Sequence, residues 1–176
     1  MSVFRRLFVF VCLLFSVAVV AQLPSIHPTL SFEPNKGQAD PSVRFLARSM
    51  NNTIFLTDNR VVLNANSHHG SSISLTMTGA SISAPVGELP TGGMANYYLS
   101  NKRDNWRDHL PLYAAVRYPS VYPGVDVVLH QHEDQLELDF EVAPGSSAAG
   151  IQLTVDNADQ IFVEDGVLNI AAGNDV

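Results

Sequence analysis

Apolar and polar residues alternate along much of this chain, which is the pattern of β-strands that bury one face. The alternation is clearest in residues 135–142, with Leu136, Leu138, Phe140 and Val142 on one face and Glu137, Asp139 and Glu141 on the other. Side chains point to opposite sides of a strand in turn, so we predict that the apolar face packs on the core and the acidic face is solvated.

Other short runs of β-branched and apolar residues predict further strands. They are residues 43–48, 53–57, 60–64, 73–78, 112–118, 125–131, 151–155, 161–164 and 167–170, and residues 96–99 are a weaker candidate. Turn pairs such as Asp58-Asn59 and Asp165-Gly166 favour hairpins between neighbouring runs. The segment 79–93 is rich in Gly, Pro, Ser and Ala and predicts a long connection with at most one weak strand. Residues 101–109, polar around Trp106, predict at most one helical turn.

About nine or ten strands with no long helix predict an all-β fold. We expect a two-sheet antiparallel β-sandwich, because each strand has one apolar face that a second layer must cover.

The first residues form a separate segment. Arg5 and Arg6 precede a run of 14 mostly apolar residues, Leu7 to Val20, and small residues end at Ala21 before Gln22. A run of this length matches the core of a signal peptide and is shorter than the ~20 residues that cross a bilayer. We therefore predict a signal peptide in 1–21 and a single β-rich domain in 22–176, secreted or at the cell surface. An uncleaved N-terminal anchor is the alternative.

Charge and cysteine content narrow the classes of partner. The whole chain has a formal net charge of −7, and loss of Arg5 and Arg6 with the leader leaves eight basic against seventeen acidic residues, hence −9. An acidic surface repels phosphate backbones, so no nucleic-acid partner is expected. Cys12 is the single cysteine and lies in the leader, so the exported chain has neither a disulfide nor a thiol nucleophile.

A metal site is the first candidate chemistry. His130 and His132 are two positions apart on a predicted strand, so their rings share a face, and Glu133 or Asp134 offers a further ligand. A second pair, His68-His69, would have to come from a distant loop. The same residues suit the turn of a hairpin, and a solvated hairpin tip is the interpretation we favour. No cofactor is predicted.

An acid–base pair is the second candidate. Glu137, Asp139 and Glu141 are about 6–7 Å apart at Cα for each step of two residues, and a glycosidase needs ~5–9 Å between its carboxyl groups. Catalytic pairs face each other across a cleft with one carboxyl desolvated, whereas neighbours on one strand stay hydrated. We favour a wet or cation-bridged sheet face.

Aromatic residues of the middle third offer a sugar-binding platform or a packed core, and we favour packing. They are Tyr97, Tyr98, Trp106, Tyr113, Tyr118 and Tyr122. The chain has no Gly-rich phosphate loop, zinc-protease motif or nucleophile elbow, so no catalytic residue is predicted.

Two stretches, 32–48 and 96–145, resemble an N-terminal domain of unknown function that precedes SBBP repeats, the β-propeller-type repeats of large exported bacterial proteins. The matching features are Phe32-Glu33-Pro34-Asn35 with Gly37-Gln38, Asn96-Tyr97 with Trp106, Val116-Arg117-Tyr118, Tyr122-Pro123-Gly124-Val125-Asp126, Leu136-Glu137 with Asp139-Phe140, and Pro144-Gly145. The resemblance implies a β-rich module of surface proteins and supplies no catalytic residue. One alternative that stays open is that the domain 22–176 is truncated at its C-terminal end.

These observations favour a non-catalytic structural or interaction module of a secreted or cell-surface bacterial protein. Its expected partners are other domains of a larger surface protein or surface glycans, with no membrane span once the leader is removed. The alternative is a carbohydrate-binding or carbohydrate-active domain. Its predicted ligand-binding residues are Glu137, Asp139, Tyr118, Tyr122 and Trp106.

Overall fold

The computed structural model describes residues 30–49, 52–65, 72–132, 135–164 and 167–171. Within these ranges the chain forms twelve β-strands and two short 3-10 turns, Arg103–Asn105 and Ala148–Gly150. The strands are β1 (Phe32–Pro34), β2 (Phe45–Arg48), β3 (Asn52–Leu56), β4 (Arg60–Ala65), β5 (Ser72–Met77), β6 (Val86–Tyr98), β7 (Trp106–Tyr122), β8 (Val125–His132), β9 (Gln135–Val142), β10 (Leu153–Asp156), β11 (Gln160–Glu164) and β12 (Val167–Ala171). The prediction of an all-β fold is confirmed.

Ten of these strands form one large antiparallel sheet. Its neighbours follow the order β10-β5-β4-β3-β2-β1-β7-β8-β9, and β6 pairs with β7 outside this path. Val116 of β7 pairs with Gly87 of β6 and with Leu129 of β8, so β6 and β8 flank β7. The remaining strands, β11 and β12, form a separate hairpin. The two-sheet sandwich is not confirmed, because ten of the twelve described strands join edge to edge into one curled sheet.

The segment 79–93 is where the sequence prediction was wrong. A strand of 13 residues, β6, begins at Val86 and continues through Pro90 and Gly92. Its composition has low β-propensity, but its backbone pairs with the 17-residue β7 from Val86↔Arg117 to Tyr98↔Trp106. Register shifts on both sides of Met94 accommodate residues that fit a regular strand poorly.

The core lies inside the curl and draws on both halves of the sheet. The fully buried large side chains include Phe32, Leu56, Met77, Tyr118 and Leu129. Each lies on a different strand, so the curl brings together residues far apart in the chain. At roughly 1.5–3 kcal/mol for each large apolar side chain, this burial is the main term that stabilises a fold without disulfides.

The amphipathic hairpin has the predicted form. Leu136, Leu138 and Phe140 of β9 pack against the core, whereas Glu137, Asp139 and Glu141 are exposed. Val142, predicted on the apolar face, is exposed at the end of the strand. The leader 1–21 and the turn Asp165-Gly166 lie outside the described residues. Within the described ranges, the chain contains no helix that is long and apolar enough to cross a membrane.

Candidate functional site

The outer face of the β8–β9 hairpin brings one predicted ligand next to two predicted carboxylates. His130 lies directly opposite Glu137, and Asp139 is the next residue of β9 on the same face. The His130 Nε2 atom is 2.9 Å from Asp139 Oδ2 and 3.9 Å from Glu137 Oε2. Hydrogen bonding to Asp139 raises the pKa of His130 above its ordinary value, because the paired carboxylate favours the charged imidazolium.

His132 stands beside this cluster. Its Nδ1 atom is 3.9 Å from Glu137 Oε2, and its side chain is 71% exposed. The two histidines therefore share a face, as their spacing predicts, and both approach the same carboxylate. Glu133, Asp134 and the His68-His69 pair lie outside the described residues.

A second charged group lies on the same outer face, around Arg117 of β7. Its Nε donates to Glu88 Oε1 at 2.6 Å, and its Nη1 donates to Asp126 Oδ2 at 3.0 Å and to Glu141 Oε2 at 2.6 Å. These bonds tie β7 to β6, β8 and β9. The three carboxylates hold the pKa of the Arg117 guanidinium above its ordinary range. The sequence prediction of a cation-bridged face thus has a counterpart at Glu141, although the cation is a side chain of the protein.

Two of the predicted ligand-binding tyrosines lie in the core. Tyr118 is fully buried and donates from its hydroxyl to the Thr57 carbonyl at 2.8 Å. Tyr122 donates to the carbonyls of Thr78 and Gln152, at 3.1 and 2.9 Å. Burial raises the pKa of Tyr118 above its ordinary value, which keeps the hydroxyl a proton donor. Neither ring presents a free face to a soluble ligand.

Trp106, the third predicted aromatic residue, lies at the opposite end of β7. Its ring meets Tyr98 edge-to-face at 4.9 Å between centroids, and Arg103 lies over it at 5.5 Å. Tyr98 is 65% exposed. An aromatic surface therefore exists, but Trp106 lies nine positions along β7 from Ala115, which pairs with His130. The aromatic pair and the carboxylates of β9 belong to different parts of the sheet.

Sequence reasoning missed a buried carboxylate on β1. Glu33 is only 5% exposed, accepts a hydrogen bond from the Tyr97 hydroxyl and lies 3.9 Å from Arg48 Nε. The Arg48 guanidinium also lies over the Tyr97 ring, 5.7 Å from its centroid. The pKa of the Tyr97 hydroxyl is raised above its ordinary value, and burial is the largest cause. No local signal marks Glu33 as buried, because its two partners, Tyr97 and Arg48, come from other strands.

An apolar groove of about 650 Å³ opens where the two ends of the large sheet approach each other. Apolar side chains of β4, β5, β9, β10 and β12 line it: Val61, Leu63, Ile73, Leu75, Leu136, Leu138, Phe140, Leu153, Leu168 and Ile170. The polar residues along its border are His132, Gln135 and Glu137. We call this feature the apolar groove. Sequence analysis did not find it, because its walls come from opposite ends of the strand order.

The comparisons with known proteins concern the domain as a whole. A family model described as a domain of unknown function (DUF7948) matches residues 32–175. The chain belongs to the DUF7948 family. Neither the search of curated proteins nor that of solved structures found a match. The resemblance to a domain of unknown function is confirmed, whereas the link to SBBP repeats stays a prediction.

Several residues of the quoted motifs fix turns and loops of the DUF7948 domain. In Tyr122-Pro123-Gly124-Val125-Asp126, the Asp126 carboxylate accepts a hydrogen bond from the Ser120 backbone N–H at 2.7 Å. This bond holds Ser120 at a φ of 52° at the register shift between β7 and β8. Gly124 has a φ of 69°, and an added Cβ would overlap the Ser146 side chain.

The Asn35 side chain organises the loop after β1 of the DUF7948 domain in the same way. It donates to the carbonyls of Asp40 and Val43, at 2.8 and 2.9 Å, and accepts from the backbone N–H of Gly37 at 3.0 Å. These motif positions are therefore explained by chain geometry, without reference to a ligand.

Proposed function

We propose that this domain is a non-catalytic interaction module of an exported bacterial surface protein, and that it binds another β-rich segment along the apolar groove. The observation that carries the proposal is the groove itself, because a soluble domain rarely leaves a large apolar surface open without a partner. The partners expected first are other domains of a larger surface protein.

The edges of the groove fit a β-rich partner. β9 and β10 end the strand order, and within the described ranges no further strand pairs with their outer sides. An edge strand offers unpaired N–H and C=O groups, and the groove beside it accepts apolar side chains. An added strand supplies both kinds of contact at once, since every second side chain points to the same face.

The β11–β12 hairpin extends this surface. Leu168 and Ile170 line the groove, while Ile161, Phe162 and Val163 of β11 are 50%, 46% and 70% exposed. Three consecutive exposed apolar residues are unusual on a soluble surface, where isolated ones are the norm. They support a docking surface that continues from the groove onto the hairpin.

The solvent exposure of the Glu137 and Asp139 carboxylates supports a non-catalytic role. The Glu137 and Asp139 side chains are 46% and 50% exposed. A general acid or base at neutral pH needs an environment that desolvates it. These two groups are hydrated on an open sheet face, which favours binding or structural roles.

Site-specific photo-cross-linking in the producing cells tests the docking surface. A photoreactive residue in place of Phe162 is expected to give one discrete cross-linked product, either with a partner or with another part of the same polypeptide. Met94, which is 60% exposed on β6, provides the matched control on another edge of the sheet. The docking proposal fails if position 162 gives no product, or if positions 94 and 162 give the same one.

Export is a separate part of the proposal and rests on the leader 1–21. If the signal is cleaved after Ala21, the protein recovered outside the cytoplasm begins at Gln22, as N-terminal sequencing would show. Replacement of Leu14 by arginine, which places a charge in the apolar run, is expected to retain the uncleaved chain inside the cell. Recovery of an intact Met1 terminus outside the cytoplasm would instead identify an uncleaved anchor.

The association with SBBP repeats is proposed on the motif resemblance. Repeats encoded downstream of Val176 in the same gene would support it, and an unrelated reading frame there would count against it.

Carbohydrate binding is the second candidate function, and the exposed Tyr98, in edge-to-face contact with the half-buried Trp106, favours it. Aromatic faces flanked by an arginine suit stacking against sugar rings. A glycan array separates the two functions, since binding of one sugar class that is lost with Tyr98→Ala supports this candidate.

A further inference from the structure

The side chains of His130, Glu137 and Asp139 form a compact donor set. One imidazole nitrogen and one oxygen from each carboxylate lie within 4.8 Å of one another. We propose that this cluster binds a divalent transition-metal ion, for which Zn²⁺ is the probe of choice, and that the ion joins strands β8 and β9. This inference goes beyond the proposed function and does not depend on it.

The strand register brings the donors together without any change of backbone. His130 and Glu137 are directly opposed residues of an antiparallel pair, and Asp139 follows Glu137 on the same face. Zinc takes ligands at about 2.0–2.2 Å, so its ligand atoms are roughly 3–3.5 Å apart. The observed separations from His130 Nε2, 2.9 Å to Asp139 and 3.9 Å to Glu137, are within reach of small side-chain rotations.

The charges around the cluster favour a cation. Arg117 is engaged by Glu88, Asp126 and Glu141, so it does not neutralise the other carboxylates of this face. Within the described ranges, the basic groups in ion-pair distance of Glu137 and Asp139 are His130 and His132. A divalent cation complements the two neighbouring carboxylates of this cluster.

The mixed donor set selects the class of ion. One imidazole and two carboxylates suit zinc and its first-row neighbours, whereas Ca²⁺ and Mg²⁺ prefer oxygen ligands alone. His132 Nδ1 lies 3.9 Å from Glu137 Oε2 but outside the compact donor set, so water is expected to complete the coordination.

Calorimetric titration of the chelator-treated protein with ZnCl₂ alone tests the site. We expect saturable binding of one ion per chain and a rise in melting temperature with zinc concentration. His130→Gln and Asp139→Asn are each expected to weaken binding by about tenfold or more. Glu137→Gln provides a further independent variant, and circular dichroism verifies that every variant is folded.

The controls distinguish this cluster from other zinc-binding groups. Glu141→Gln removes a carboxylate of the same face that belongs to Arg117, so zinc affinity is expected to stay unchanged. The double variant His68→Gln/His69→Gln is expected to keep binding as well. The proposal is overturned if the unaltered protein shows no saturable binding, if His130→Gln and Asp139→Asn bind as tightly as it does, or if binding depends on residues 68 and 69.

Discussion

Replacement of Tyr118 by alanine is expected to lower the free energy of unfolding by about 3–5 kcal/mol, the range for deleting a large buried aromatic side chain. The Tyr118 ring is fully buried between both halves of the curled sheet. Its hydroxyl is also the donor to the Thr57 carbonyl, which the deletion leaves without that partner. Urea denaturation followed by circular dichroism measures the change.

Two further variants show how much of the stability lost in Tyr118→Ala comes from the hydroxyl and how much from burial of the ring. Tyr118→Phe keeps the ring and removes only the hydroxyl, so a loss of about 1 kcal/mol is expected, typical of one buried hydrogen bond. Tyr98→Ala removes an exposed tyrosine of the same sheet and is expected to cost less than about 1 kcal/mol. An alanine variant at position 118 as stable as Tyr98→Ala would show that this ring is not part of the core.

Replacement of Arg117 by methionine is expected to destabilise the domain by about 2 kcal/mol at low ionic strength. Methionine preserves most of the apolar stem but removes the donors to Glu88, Asp126 and Glu141, which then repel one another. The Arg117 side chain is 24% exposed, so solvent already screens part of this interaction and the figure is discounted for it. Urea denaturation at low and at high salt measures the effect.

Arg44→Met is the matched control for this variant. Arg44 forms an exposed two-bond ion pair with Asp58, at 2.8 and 3.0 Å, and its loss is expected to destabilise the domain clearly less than the loss of Arg117. The loss at Arg117 is expected to shrink when salt screens the carboxylates. Equal losses for the two variants, or a loss at Arg117 that salt does not change, would contradict a four-strand network.

Several motif residues of the DUF7948 domain form contacts that stabilise its fold. Arg117 and Asp126 connect strands, Asn35 shapes a loop, and Tyr118 and Tyr122 anchor β7 and the turn after it to distant carbonyls. The quoted motifs also include Leu136-Glu137 and Asp139-Phe140, whose residues line the apolar groove or belong to the His130 cluster.

The sequence by itself determined the local features of the fold. Alternation of apolar and acidic residues predicted which face of β9 is buried, because the two-residue period of a strand is a property of the backbone. The hairpin of β8 and β9 followed from two such runs on either side of a short polar turn, and the register then placed His130 opposite Glu137. The sequence also marked His130, Glu137 and Asp139 as candidates, though not their grouping.

Only the tertiary structure decided how the strands are ordered and what the order creates. β6 is a strand because β7 supplies its hydrogen-bond partners, which outweigh a composition rich in Gly and Pro. One curled sheet formed where alternation alone predicted two layers, since alternation specifies a buried face but not the partner that covers it. The Glu33–Tyr97–Arg48 group and the apolar groove unite residues far apart in the chain, and such contacts depend on long-range pairing that no local pattern encodes.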